Sequence, residues 1–363
     1  MTTAFFTDER CFWHSGGDYA LTAPVGGLVQ PLAAGGLPES PETKRRLVNL
    51  LKVTGLWEEL AVQSAPEADR EALLRVHPAA YLDRFKALSD AGGGELGERT
   101  PFGAGGYEIA ALSAGLVIGA GRAVMTGAAR NAYALSRPPG HHCLPDHPMG
   151  FCLLANIAIT IAALRAEGLV NRVAAMDWDV HHGNGTEAIF AGDPDVLTIS
   201  IHQEGNYPWN SGGVDGGAIA NVNVPLPPGT GHRSYLEAMD RVVLPALVRF
   251  QPDLIIVACG FDASGVDPLA RMLAGSDTFR AMTRQVIAAA DHLCEGRLMM
   301  AHEGGYSEVH VPFCGHAVLE EMSGSAVSAE DPLAARIAAH QPGDRFEAMV
   351  SEQISDIAAA YGL

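Results

Sequence analysis

Beyond residue 130 the chain alternates short apolar runs with longer stretches whose apolar residues recur at helical spacing. Residues 131–136, 173–176, 196–201, 254–259 and 298–301 read as strands. Residues 153–167, 232–250 and 277–294 read as helices, and 186–190 has helical spacing after a polar loop. This alternation implies an α/β fold, a parallel sheet covered by helices on both faces. Upstream, residues 42–56 predict a helix opened by Ser40 and Pro41, an acceptable N-cap and first-turn pair. Residues 107–125 predict a second, built of small and apolar side chains, and the Gly-rich stretch 91–106 predicts a surface loop. Residues 1–40 read as irregular, although Phe5, Phe6, Phe12 and Trp13 need burial. No repeat of about 20–50 residues, low-complexity tract or linker is visible. One domain is therefore expected over residues 1–363.

Each strand ends in polar residues. They lead in turn to Gly140-His141-His142, to Asp177-Trp178-Asp179-Val180-His181, to Ser200-Ile201-His202, to Gly260-Phe261-Asp262 and Asp267-Pro268, and to Glu303-Gly304-Gly305-Tyr306. In a parallel sheet these ends form one rim, where ligands bind. Side chains two apart on an extended strand point the same way, so Asp177, Asp179 and His181 can converge. Asp179 and His181 offer a carboxylate and an imidazole, a donor mix suited to zinc or another divalent ion.

Composition narrows the function. A formal net charge of −18, with no basic cluster longer than Lys44-Arg45-Arg46, argues against a nucleic-acid binder. No stretch of about 18 apolar residues is evident, which argues against a membrane span. The six cysteines are scattered without a C-x-x-C pair and read as reduced core thiols, Cys143 included. With no signal peptide at the start, a cytoplasmic protein is expected. The Gly- and Asn-rich stretch 205–217 is long for a βα loop, a hint of function.

Arg137-Pro138-Pro139-Gly140-His141-His142, Gly150-Phe151-Cys152, Asp177 through Gly185, Gly260-Phe261-Asp262-Ala263-Ser264, Asp267-Pro268 and Glu303-Gly304-Gly305-Tyr306 occur in this order. Together they resemble the zinc-dependent histone deacetylase family, most closely its class II branch and the bacterial histone-deacetylase-like amidohydrolases. The resemblance runs over residues 41–324, most of the chain. It implies a three-layer α/β/α arginase/deacetylase-like fold with a mostly parallel central sheet. It also implies Zn²⁺ held by Asp179, His181 and Asp267, with Asp262 as structural support. His142 would be general base and then acid, and His141 would stay charged and electrostatic. Asp177 would orient His141 and Asn184 would hold His142; class I members carry Asp where Asn184 stands. Tyr306 would donate a hydrogen bond to the oxyanion. Phe151 and Tyr207 would wall an acyl-lysine tunnel, with Gly150, Leu269 and Gly304 also facing substrate. K⁺ near the zinc would involve Asp177, Asp179, His181 and Ser200. The loop 209–220 reads as shorter than in close bacterial relatives.

The expected activity is hydrolysis of an acetyl or similar acyl group from the ε-amine of lysine, or from a related small acylamide. An acetylpolyamine or other small-amide hydrolase is the main alternative. An arginase-like dimanganese enzyme would need further ligands, and only one D-x-H is present. A non-catalytic acyl-ligand sensor would be favoured by loss of Tyr306 or the His pair, and both are intact. Self-association is left open as a homo-oligomer.

Overall fold

A computed structural model of the chain describes residues 2–30, 36–215 and 220–363. Eight strands form one sheet: β1 (Thr3–Phe6), β2 (Ala61–Gln63), β3 (Asn131–Ala134), β4 (Val173–Asp177), β5 (Val196–Gln203), β6 (Asn221–Leu226), β7 (Leu254–Cys259) and β8 (Leu298–His302). Their spatial order is β6-β5-β4-β7-β8-β3-β1-β2, and every neighbouring pair runs parallel. A parallel sheet covered on both faces needs apolar residues throughout its central strands. The Leu-Ile-Ile-Val-Ala-Cys run of β7 is accordingly buried at every position. Helices Gly106–Met125 and Asn156–Ala166 pack on each other, and Glu42–Thr54, Val311–Ser323 and Ser276–Leu293 pack in series. The five strands expected from the apolar runs lie side by side, as β5-β4-β7-β8-β3. Register aligns their carboxyl ends: Ser200 lies opposite Asp177, Asp177 opposite Ala258, and Cys259 opposite His302.

Several expectations change. Residues 1–40 are not wholly irregular, because Thr3–Phe6 is a sheet strand between β2 and β3. Phe5 stacks on Tyr133 with ring centroids 5.8 Å apart, while Trp13 is 75% exposed and is not the buried aromatic expected. The Gly-rich stretch 91–106 folds partly into a small antiparallel pair, Gly93–Glu95 with Pro101–Gly103. The helix expected over 232–250 contains a π-helical segment, Met239–Val243, before Leu244–Phe250. Pro245 has no N–H for the carbonyl of residue 241, so the regular ladder cannot run through that turn. Strand β6, absent from the five expected, is not a continuous apolar run but alternates Val222, Val224 and Leu226 with Asn221, Asn223 and Pro225; as an edge strand it tolerates the proline. By length and composition alone Gly106–Met125 would pass as a membrane span, yet most of it is buried inside the fold. All six cysteines are buried and free.

The start of the chain is fastened to the rim by a buried charge cluster. Lys44 Nζ donates to Glu39 at 2.7 Å, and Arg137 Nε donates to the same carboxylate at 3.1 Å. Arg137 Nη1 also donates to the carbonyls of Cys11 and His14, each at 3.0 Å. Burial alone would raise the Glu39 carboxyl, but Arg137 and Lys44 hold it well below the usual carboxylate range. Lys44 is thus inside the protein and is no part of a basic surface patch. Removing one partner of such a cluster strands buried charge, which costs about 3–5 kcal/mol. Glu39→Gln should lower the unfolding free energy by about that amount in urea titration. A loss under about 1 kcal/mol, the scale of an exposed pair, would show the cluster to be solvated.

Candidate active site

The loops after β4 and β7 place three donors together. Donor atoms of Asp179, His181 and Asp262 all lie within 4.8 Å of one another. His181 Nδ1 is 3.1 Å from Asp179 Oδ1 and 3.0 Å from Asp262 Oδ2. All three side chains are buried. The backbone N–H groups of Gly304 and Val180 donate to Asp179 Oδ2 and Asp262 Oδ1, each at 2.8 Å, which fixes the carboxylates. A Cβ on Gly260 would strike Asp179 Oδ2, and one on Gly304 would strike Asp262 Oδ2. Glycine therefore keeps the space above both carboxylates open.

Asp267 does not join this group; Asp262, assigned above to structural support, takes its place. The reason is local. Asp267 Oδ1 accepts the Leu269 N–H at 2.9 Å and Oδ2 accepts the Tyr306 N–H at 2.8 Å, so its carboxylate braces the loop carrying Tyr306. Nothing in the motif spacing separates two aspartates five residues apart. The signal that could have done so is the strand end itself, since Asp262 follows β7 by three residues.

The electrostatics fit a cation. Burial and then the charge of Asp179 raise the Asp262 carboxyl to about 6, against the pull of His181. Burial opposes charge on His181, but Asp179 and Asp262 outweigh it and lift the imidazole to about 10. The two buried carboxylates thus favour a proton on the histidine between them. A divalent ion would supply the missing positive charge and displace that proton, as ligand histidines require.

The paired histidines lie beside this group. His141 Nδ1 is 2.9 Å from Asp177 Oδ2, and Glu303 Oε2 accepts the backbone N–H groups of Gly140 and His141 at 2.7 and 3.1 Å. Although burial disfavours its charge, Asp179 and Asp177 lift His141 to about 10. His142 Nδ1 is 2.8 Å from Asn184 Oδ1. An amide oxygen only accepts, so the proton sits on Nδ1 and the Nε2 lone pair is left to act as a base. Burial, then His141 and His181, push His142 well below the usual imidazole range. The Glu303 brace went unassigned from sequence, since a glutamate in a Gly-Gly-Tyr motif carries no sign of its partner 163 residues away.

A cavity of about 180 Å³ opens onto these residues, lined by His142, Phe151, His181, Tyr207, Leu269 and Tyr306 among others. Gly150 also lines it, while Gly304 lies beneath Tyr306, whose Oη is 2.9 Å from where a Gly304 Cβ would stand. The Tyr207 ring packs edge-on against His142 at 5.1 Å, and Phe151 against Tyr306 at 5.8 Å. Ser200 lies behind the site, its Oγ 2.9 Å from His202 Nδ1 and 3.4 Å from the Gly183 N–H. Of the loop 209–220, residues 216–219 lie outside the described residues.

Residues 37–322 match the family described as Histone deacetylase domain. This chain belongs to the histone deacetylase family. A Histone deacetylase-like amidohydrolase of Pseudomonas aeruginosa is 59% identical over 366 residues, covering 99% of this chain and 96% of that one. A Probable deacetylase of Archaeoglobus fulgidus is 37% identical, covering 80% of this chain and 84% of its own. Among solved structures, the crystal structure of the HDA15 HD domain superposes with a TM-score of 0.82 at 30% identity, over 100% of this chain and 99% of that one. The chain is thus an enzyme of the deacetylase and amidohydrolase type, on the arginase/deacetylase α/β fold.

Within this histone deacetylase fold the two aspartates can be separated by experiment. Asp262→Ala should lose bound metal, measured by elemental analysis, whereas Asp267→Asn should keep it. Full occupancy in Asp262→Ala together with loss in Asp267→Asn would restore Asp267 as the ligand.

Proposed function

We propose that the protein is a zinc-dependent amidohydrolase that removes acetyl or similar acyl groups from the ε-amine of lysine or from a related linear acylamide. The observation that carries this reading is the arrangement at the cavity floor. His181 of the three-donor group, a histidine with a free Nε2 and a tyrosine all line the same small cavity, with Asp179 and Asp262 directly behind His181. Zn²⁺ held by Asp179, His181 and Asp262 would polarise the acyl oxygen and lower the pKa of the attacking water.

The chain's own groups account for the remaining steps. His142 Nε2 takes a proton from water as its oxygen bonds to the acyl carbon. Tyr306 donates to the oxyanion that develops on the former carbonyl. His142 then returns its proton to the amine nitrogen as the C–N bond breaks, leaving a carboxylic acid and an amine, between which the remaining proton passes to give carboxylate and ammonium. His141, charged and braced by Asp177 and Glu303, keeps positive potential beside the site and holds His142 neutral at the outset. K⁺ near Asp177, Asp179, His181 and Ser200 would have a supporting, structural part.

Leu269 favours lysine over polyamine. It lines the cavity and packs with Phe151 and Tyr306, offering apolar contact and no countercharge to a distal ammonium. An unpaired charge placed there would be costly.

Tyr306→Phe should lose about 10²–10³ in turnover with metal retained, the usual cost of one oxyanion donor. A loss below about threefold would mean the hydroxyl does not face the reacting carbonyl. His142→Ala should cost at least as much. On substrate choice, kcat/KM should be higher for acetyl-lysine derivatives than for acetylspermidine, and Leu269→Glu should shift the balance toward the polyamine. A wild-type preference for acetylspermidine of about tenfold, roughly 1.4 kcal/mol, would replace the lysine reading with a polyamine amidohydrolase.

A further inference from the structure

Arg99 lines the cavity described above and, histidines aside, is the one lining residue among the described residues that carries a formal charge. Its guanidinium carbon lies over the Tyr207 ring, 5.3 Å from the centroid, while His142 packs on the same ring at 5.1 Å. The guanidinium is therefore one aromatic ring removed from the catalytic imidazole. An extended lysine side chain spans about 6 Å from Nζ to Cα at ordinary bond lengths. An acyl-amine seated beside His142 would thus bring the far end of a five- or six-atom chain close to Arg99.

The backbone holds this arginine in place. Glu98 N–H donates to the Pro148 carbonyl at 3.2 Å, Gly150 N–H to Glu98 O at 3.0 Å, and Phe151 N–H to Arg99 O at 3.2 Å. Arg99 has φ +56° and Phe151 φ +70°, both in the left-handed region that side chains other than glycine rarely adopt. Such strain persists only where the surroundings over-determine it. The segment bearing the cation is thus clamped to the segment bearing a wall of the cavity.

The fork is also unspent. Among the described residues no hydrogen bond engages the Arg99 side chain, and its one ionic partner is Glu98, 3.4 Å away and about half exposed. An exposed pair of that length is weak. A planar guanidinium with free N–H groups, stacked on an aromatic face, suits a carboxylate, which it can grip through two parallel bonds. The overall charge of −18 repels anions at long range, but screening beyond about 8 Å leaves the local cation to decide.

We propose that Arg99 is a specificity-determining residue that selects acylated amines whose chain ends in a carboxylate, of the N-acyl amino acid type, over neutral and cationic analogues. This deepens the amidohydrolase reading and rests on it. The test uses three probes of one length: 6-acetamidohexanoate, 6-acetamidohexanamide and N-acetyl-1,6-diaminohexane. Dissociation constants by calorimetry on the metal-loaded protein and kcat/KM by product amine are read in parallel. The carboxylate should bind about tenfold or more tightly than the amide, the scale of a charge-assisted hydrogen bond, and the ammonium should bind weakest. Arg99→Gln should bring the carboxylate-to-amide ratio near one, Arg99→Glu should invert it, and Glu98→Gln should increase it. A wild-type ratio near one, or a ratio that Arg99→Gln leaves unchanged, overturns the proposal. Selective binding without turnover of any probe would uphold the Arg99 subsite while refuting the amidohydrolase reading. Turnover of all three at equal efficiency would do the reverse.

Discussion

Two carboxylates, Asp179 and Asp262, are buried side by side with a single histidine between them. Isolated ionised carboxylates are expensive to remove from water. Every nearby feature reads as compensation for that cost: backbone N–H groups aimed at the outer oxygens, a charged His141 nearby, and glycines that leave room for a cation. The surrounding sheet makes this possible. Its parallel strands deliver loop after loop to the same edge, so residues from distant parts of the chain supply the compensation without distorting any strand.

Around this charged floor the protein sets groups whose roles depend on which proton they lack. His141 and His142 are sequence neighbours with ring centroids 3.9 Å apart, yet their environments drive them in opposite directions. Against the cost of burial, the carboxylates of Asp179 and Asp177 hold His141 charged, whereas burial and the neighbouring His141 and His181 keep His142 neutral. Neighbouring titratable groups with divergent pKa values are how one site holds an electrostatic anchor and a base together.

Much of this was legible in the chain because the strands that carry the site are the most apolar ones. Their runs stand out, and the polar residues at their ends follow at once. The strand Thr3–Phe6 was hidden because four residues, Thr-Ala-Phe-Phe, have no periodicity to read. The identity of the third donor was hidden for another reason. Asp262 and Asp267 belong to one loop and one residue type, and the backbone N–H groups of Leu269 and Tyr306 fold back onto Asp267 from positions the motif does not reveal. Arg99 stood in a Gly-rich stretch that read as a plain surface loop. Its importance comes from pairing with residues 148–151, a contact between segments about 50 positions apart that no local pattern encodes.

The strand order has a consequence for how the protein is made. Strand β8, Leu298–His302, is the last of the sheet strands in the chain, yet it fills the gap between β7 and β3. A ribosome releasing the chain from its start must therefore expose β3, Asn131–Ala134, long before its inner neighbour exists. Until residues near 300 emerge, the halves β1-β2-β3 and β4-β5-β6-β7 have no hydrogen-bonded seam. Closing such a long-range gap is slow. The segment that closes it leads directly into Glu303, Gly304 and Tyr306. The strand that completes the sheet and the residues that complete the rim of the cavity therefore enter the fold from one stretch of chain.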